Sequence, residues 1–428
     1  MAAYWEAELD TLPRRQLEML QLERLRFQLE RLYQGSPFFR EKWGKIKPQV
    51  RHLENLARLP LVTKADLREE QKRHPPLGRY TLSPQDRWRE YHPSSGTTGL
   101  PVGTVWSDRD VENIAQVTAR TLFAYGLRPG ETLLNGFSYG LWVAGMAVHY
   151  AAARLGLFIL PVGAGQTERH LEAMARFKPK ALTATPSFGL YLAETLKEKG
   201  LESPLAIGAF GGEAGTENPA TRRRLEEALG IRAYGYYGLA EMGPTFAGEC
   251  EAQSGLHFAE DHYLVEVVDP ETKEPVSEGE VGVLVLTHLT REATPLVRYH
   301  TGDLARLSKE PCVCGRTHLR AVGGILGRAD DLVIYRGAKF YPTQVEEVVR
   351  RFPELSSEYR IEVREAHGVV REVTVELVRP EVGEGVVEAL RRSLKESLGV
   401  TPAVRLEATG TLERTAFKAK RLVRYVEA

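Results

Sequence analysis

The chain has 428 residues, 43% of them hydrophobic, so it can bury a sizeable core, and its length favours more than one domain. Lysine plus arginine and aspartate plus glutamate number 57 each, which leaves no net field to draw nucleic acid or anionic lipid and argues against both as partners. The longest apolar region, residues 140–165, is broken by His149, Arg154 and glycines; with three cysteines and no basic, apolar leader, a soluble cytoplasmic protein is expected.

In chain order, leucines at helical spacing between charges predict one amphipathic helix over 13–33. Residues 94–103, SSGTTGLPVG, hold hardly a side chain able to pack, and so are built either to turn or to hold a ligand with their backbone. From about residue 131 strands alternate with helices: ETLLNGF, a helix over 141–155, LFILPV, a helix from Thr167, KALTATP, a helix from Ser187, LAIGAF, a helix from Asn218, then IRAYGYY. That alternation predicts a parallel sheet covered on both faces, with ligands gathering beyond the strands' carboxyl ends. After Leu256, YLVEVVD and VGVLVLT around the turn DPETKEP predict antiparallel strands. From about Gly327, RIEVR, VTVELV and VRLEAT flank a helix over 385–398, entered through the glycine-rich stretch AVGGILGRADD.

The expected fold is therefore α/β. A large N-terminal domain (1–327) has parallel sheets, helices and an antiparallel barrel-like region, and a small mobile α+β C-terminal domain (328–428) follows.

Consecutive backbone N–H groups in a Ser/Thr/Gly loop form a concave nest for oxyanions, and hydroxyls add donors without bulk. Residues 94–99 are not the P-loop of NTPases, which needs a lysine and a hydroxyl where this chain has Leu100 and Pro101; taken alone they read equally well as a polar turn. Elsewhere PCVCG sets Cys312 and Cys314 two residues apart, and Cys250 precedes His257 by seven. Three Cys and one His would complete a closed, structural zinc site, with His318 as a competing fourth ligand; free buried cysteines beside an ordinary histidine are the alternative.

SSGTTG, YYGLAE (236–241), RYHTGD (298–303), GRADD (327–331) and the segment LERTAFKAKR (412–421) resemble, in order and approximate spacing, the adenylate-forming superfamily of acyl-CoA synthetases, adenylation domains and luciferases. HYAAARLG, TPSFGLYLAE and the block from PCVCGRTH to GRADDLVIYRGAKFYPTQVEEV are most similar to its phenylacetate-CoA ligase branch, and the resemblance covers nearly the whole chain. It implies an ATP- and Mg²⁺-dependent ligase that adenylates an aromatic carboxylic acid and transfers the acyl group to coenzyme A, releasing AMP and pyrophosphate. The alternatives are a carrier protein or other cofactor as acceptor, or a non-catalytic ATP-binding paralogue. A homodimer is left open.

The chemistry suits those residue types. Attack of a carboxylate on the α-phosphate sets anion against anion, so catalysis needs charge neutralisation and alignment more than a base. By resemblance, Ser94, Ser95, Gly96, Thr97, Thr98 and Gly99 wrap the β and γ phosphates, and Glu241, with Thr98, holds Mg²⁺. Asp303 accepts from the ribose hydroxyls and Arg328 donates to ribose or phosphate. Gly212, Glu213, Tyr236 and Tyr237 flank adenine and the acyl pocket. Lys418 is the mobile catalytic lysine, with Lys420 its rival; Asp330 is the hinge, and RGAKFYP (336–342) lines the pantetheine route. This sequence departs from the family pattern at Leu100, where lysine is usual, at Phe417, where glycine commonly precedes the lysine, and at Gly235, often acidic.

Overall fold

The computed structural model describes residues 4–94, 101–364, 369–377, 383–412 and 421–425. The first long helix runs Arg14–Gly35, started by Pro13, and buries Leu17, Leu25, Leu29 and Leu32 along one stripe. Two glutamines share that stripe because each finds a carbonyl: Gln21 donates to Glu260 O at 3.0 Å and Gln28 to Arg291 O at 2.7 Å.

The expected alternation is present as the parallel strands Thr132–Asn135, Phe158–Leu160, Ala181–Ala184, Ile207–Phe210 and Arg232–Leu239. Their period-two pattern is apolar on both faces. Leu133, Ala181 and Ala209 join one core, while their neighbours Leu134, Leu182 and Phe210 join another. The connecting helices start where a short polar side chain precedes proline: Thr185 caps Pro186–Glu198, and Asn218 caps Pro219–Leu229 by accepting from Ala220 and Thr221.

The parallel and antiparallel regions prove to be one eleven-stranded sheet. Arg232–Leu239 is the shared member: its first half pairs in parallel with Ile207–Phe210, and its second half pairs antiparallel with Gly243–Gly248. Beyond it, Leu256–Phe258, Arg320–Arg328, Tyr299–Ser308, Val281–His288 and Tyr263–Val268 complete the sheet. The turn DPETKEP is held by Asp269, whose carboxylate accepts from the N–H groups of Glu271 and Thr272.

After the sheet's strand Arg320–Arg328 and a single turn at Ala329–Asp331, a separate four-stranded sheet forms from Leu355–Arg364, Val369–Leu377, Val404–Glu407 and Leu422–Tyr425. Helices Pro342–Val349 and Glu384–Leu398 share its core of Val345, Val349, Ile361, Leu390 and Leu394. This unit rests on the two helices that follow the central strands. Ser357 N donates to Glu194 at 2.9 Å, and Arg224 donates to Leu355 O at 2.5 Å. Among the described residues no helix is long and apolar enough to cross a membrane.

Candidate active site

A cavity of about 840 Å³ opens beyond the carboxyl ends of the parallel strands, where the smaller unit meets the larger. Gly212, Glu213, Tyr236, Tyr237, Asp303 and Arg328, six residues from four motifs distant in sequence, all line it.

Asp303, 6% exposed, is the best-held of them. Its Oδ2 accepts from the Tyr237 hydroxyl at 2.6 Å, and its Oδ1 from Arg328 Nη1 at 3.1 Å. Sheet register explains the second contact, since Asp303 and Arg328 are direct cross-strand partners. Gly302 precedes the aspartate at φ +82°, and a Cβ there would come within 2.8 Å of the Arg328 guanidinium, so glycine is required in TGD. Burial, then the charge of Asp303, pushes the Tyr237 phenol well above its usual pKa, so it stays a donor. Arg328 divides its guanidinium between Asp303 and Asp330, its Nε lying 2.8 Å from Asp330 Oδ1.

Gly212 stands at φ +89°, with a hypothetical Cβ 2.9 Å from the Trp142 ring, so the turn after Phe210 lets backbone approach the cavity closely. Glu213 Oε1 accepts from Ser187 N at 2.8 Å. Tyr236 packs edge-on against Phe137, and its buried hydroxyl has no hydrogen-bond partner among the described residues. A buried hydroxyl left unpaired at a cavity wall is an open position for a ligand.

Glu241 stands apart from the cavity lining. It is 4% exposed, and its Oε1 forms an ion pair with Lys64 Nζ at 2.9 Å that lacks hydrogen-bond alignment. Tyr299 also interacts with this carboxylate, and a buried, hard carboxylate whose Oε1 has no aligned hydrogen bond among the described residues fits a Mg²⁺ ligand. Ser94 is buried at the start of the polar loop; its Oγ accepts from Val102 N at 3.0 Å and its N donates to Val102 O at 2.7 Å, which ties the loop's two ends together. Ser95, Gly96, Thr97, Thr98, Gly99 and Leu100 lie outside the described residues, as do Phe417, Lys418 and Lys420. Arg421, directly after that last segment, lines the cavity and reaches Ser187 Oγ at 3.3 Å.

Sequence reasoning missed several residues. Gly235 has no room for a side chain, because a Cβ there would fall 2.2 Å from Thr216 Oγ1. An acid is present nonetheless: Glu249 Oε2 accepts from Gly235 N at 2.7 Å and its Oε1 from Arg222 at 2.7 Å. Glu217, half-buried at the cavity wall, has its carboxyl pushed up to about 7 by burial. Lone charged residues such as these carry no motif; Glu249 is revealed by its bond to Gly235 in the strand Arg232–Leu239, and Glu217 by its place in the cavity wall.

Away from Asp303 and Arg328, Cys250, His257, Cys312 and Cys314 converge, with their four ligand atoms all within 4.8 Å of one another. Cys250 Sγ lies 3.7 Å from Cys312 Sγ, and Cys314 Sγ lies 3.6 Å from His257 Nε2. His318 is excluded as a rival ligand: its Nδ1 is 2.8 Å from Phe258 O and its Nε2 2.9 Å from Leu9 O.

Residues 64–289 match the family model of AMP-binding enzymes, and residues 337–425 match that of the AMP-binding enzyme C-terminal domain. The fold and cavity are thus those of an adenylate-forming enzyme. A phenylacetate-coenzyme A ligase of Thermus thermophilus is 41% identical, over 96% of this chain and 97% of that one. A 2-hydroxyisobutyryl-CoA ligase, solved in the postadenylation state in complex with R3-HIB-AMP, is 30% identical and superposes with a TM-score of 0.94, covering 99% of this chain and 93% of that one. In the thioesterification state, with 2-HIB-AMP and CoA, the same ligase is 31% identical and superposes at 0.75, covering 100% and 93%. The chain belongs to the phenylacetate-CoA ligase family of the adenylate-forming superfamily.

Proposed function

We propose that this chain is an AMP-forming ligase that adenylates phenylacetate or a close aryl relative and hands the acyl group to coenzyme A. ATP-dependent activation of an acid and its transfer to CoA follow from family membership. The choice of an aryl acid rests on this chain's own residues: Tyr236 and the Gly212 turn line the cavity, and Phe137 and Trp142, edge-on at 5.2 Å, pack directly behind them. The observation that carries the nucleotide reading is the Tyr237–Asp303–Arg328 constellation, a buried carboxylate pre-set by two donors.

In the first half-reaction a carboxylate oxygen attacks the α-phosphorus, the α–β anhydride bond breaks, and pyrophosphate leaves. Asp303 fixes the ribose, Arg328 and Arg421 add positive charge at the cavity wall, and Lys418 stabilises the charge gathered at the α-phosphate. Glu241, with Thr98 of the polar loop, would hold Mg²⁺, which supplies charge neutralisation on the phosphates. In the second half-reaction the CoA thiolate attacks the acyl carbon, AMP leaves, and the thiol proton passes to solvent. The protein's cysteines take no part; Cys250, His257, Cys312 and Cys314 would hold a structural zinc ion.

Pyrophosphate release measured across a panel of carboxylic acids, with and without CoA, tests this reading. Phenylacetate and ring-substituted relatives should give the highest kcat/KM, with turnover dependent on CoA. Preference for a short aliphatic acid contradicts the aryl reading, and ATP binding with no acid-stimulated release contradicts the ligase reading.

A further inference from the structure

Two separations in the Cys–His cluster match those of an occupied zinc site, and all four ligand atoms lie within 4.8 Å of one another. Zinc–sulfur bonds of about 2.3 Å and zinc–nitrogen bonds of about 2.0–2.1 Å, at tetrahedral angles, set two sulfurs about 3.8 Å apart and sulfur from nitrogen about 3.6 Å apart. The corresponding separations here are 3.7 and 3.6 Å. A disulfide requires sulfurs about 2.05 Å apart, so the cysteines are poised around a common centre rather than bonded to one another. Three thiolates on Zn²⁺ leave one negative charge, and the buried Arg316 guanidinium, which also faces Asp10 Oδ2 at 3.5 Å, follows Cys314 by two residues.

The ligands also bracket the cavity. Residues 250–257 form a loop closed at both ends by ligands, and its middle, Gln253, Ser254, Gly255 and Leu256, lines the cavity. Ser308 and Glu310, just before the other two ligands, line it as well. Arg320 ties these segments together: its Nη1 donates to Ser254 O at 2.6 Å, and its Nη2 to Glu310 O at 3.2 Å. One residue ahead of Cys250, Glu249 grips the Gly235 backbone in the strand that carries Tyr236 and Tyr237. The pairing of Leu256–Phe258 with Arg320–Arg328 already joins the segments at His257 and Arg320; a metal would fasten the ends beyond that pairing, Cys250 on one side and Cys312 and Cys314 on the other.

We infer that a zinc ion at Cys250, His257, Cys312 and Cys314 fastens one wall of the nucleotide cavity, so that zinc retention and occupancy by an acyl-adenylate are linked. The inference rests on the zinc assignment in the proposed function and adds the coupling to it. Linkage is reciprocal, so it is readable from the metal's side on the intact holoenzyme.

The test has two readings on one preparation. Metal analysis of the purified protein should give about one zinc per chain. Zinc loss to a chromogenic chelator, 4-(2-pyridylazo)resorcinol, is then followed with and without a non-reactive aryl-acyl sulfamate analogue of the adenylate, and the analogue should slow it by about fivefold or more. Arg320→Ala, which cuts the tie without replacing a ligand, should keep the zinc and shrink that protection. Absence of zinc, with none taken up on titration, overturns the zinc assignment and the coupling with it. Stoichiometric zinc lost at the same rate with and without the analogue overturns the coupling alone.

Discussion

Asp303 accepts from Tyr237 and Arg328 while facing the cavity, so its substitution removes a receptor for the ribose and leaves two donors without their shared partner. Asp303→Ala should raise the KM for ATP by about 10- to 100-fold, the loss of one to two charge-assisted hydrogen bonds, and move the KM for CoA far less; steady-state kinetics with each substrate varied will show it. Lys418→Ala should lower adenylation by about 10²-fold or more and spare thioester formation from supplied acyl-adenylate, whereas Lys420→Ala should leave both half-reactions nearly unchanged. Equal loss of both half-reactions on Lys418→Ala would remove that lysine from the first step. Glu217 supplies a pH signature. Its folded-state carboxyl, at about 7, binds its proton more tightly than in the unfolded chain, so the stability it contributes is fully present below about pH 4 and is lost as pH rises through about 7. Glu217→Gln should therefore flatten the decline in melting temperature from about pH 5 to about pH 7. Asp303 and Arg328 were legible in the sequence because motifs surround them. Glu217 and Glu249 were not, because a lone acid becomes a site residue only through the neighbours that folding gives it.

Regular elements were legible where periodicity was strong. The helix Arg14–Gly35 and the strands from Thr132 to Phe210 lie within two or three residues of the stretches their patterns predict, since each strand's apolar run is bounded by turn residues. The dual character of Arg232–Leu239 was not legible. IRAYGYYGL reads as one strand, and nothing local in it says that its pairing changes from parallel to antiparallel at Gly235–Tyr236. Partner strands decide that, and with it the position of both tyrosines. A second tie between elements runs from helix Asp108–Ala124, where buried Arg120 meets Asp261 at 2.8 Å. Burial alone would raise the Asp261 carboxyl, but Arg120 and, after it, His262 hold it well below the usual carboxylate range. The stability it contributes is present above about pH 4 and is lost as pH falls through its depressed value. Asp261→Asn strands the guanidinium and should cost about 3–5 kcal/mol by denaturant unfolding at pH 7; a change under about 1 kcal/mol would mean that Asp10 and Glu6 suffice for Arg120.

The two units make one cavity, and the contacts that hold them, Ser357 to Glu194 and Arg421 to Ser187, must break if the smaller one is to present a different face to CoA. The chain superposes more closely on the 2-hydroxyisobutyryl-CoA ligase in its postadenylation state than in its thioesterification state, so the smaller unit is set against the larger as in the former. Asp330 lies in the single turn between the sheets, and Asp330→Pro, by fixing φ, should leave acid-dependent pyrophosphate exchange within about twofold and slow thioester formation by about tenfold or more. The central claim is that the cavity between the units holds the adenylate. A crystal structure with the aryl-acyl sulfamate analogue tests it most directly. The account predicts both ribose hydroxyls on the Asp303 carboxylate, adenine against the Gly212–Glu213 turn, and the aryl ring at Phe137 and Trp142; the analogue bound elsewhere, or Asp303 still turned wholly to Tyr237 and Arg328, would contradict it.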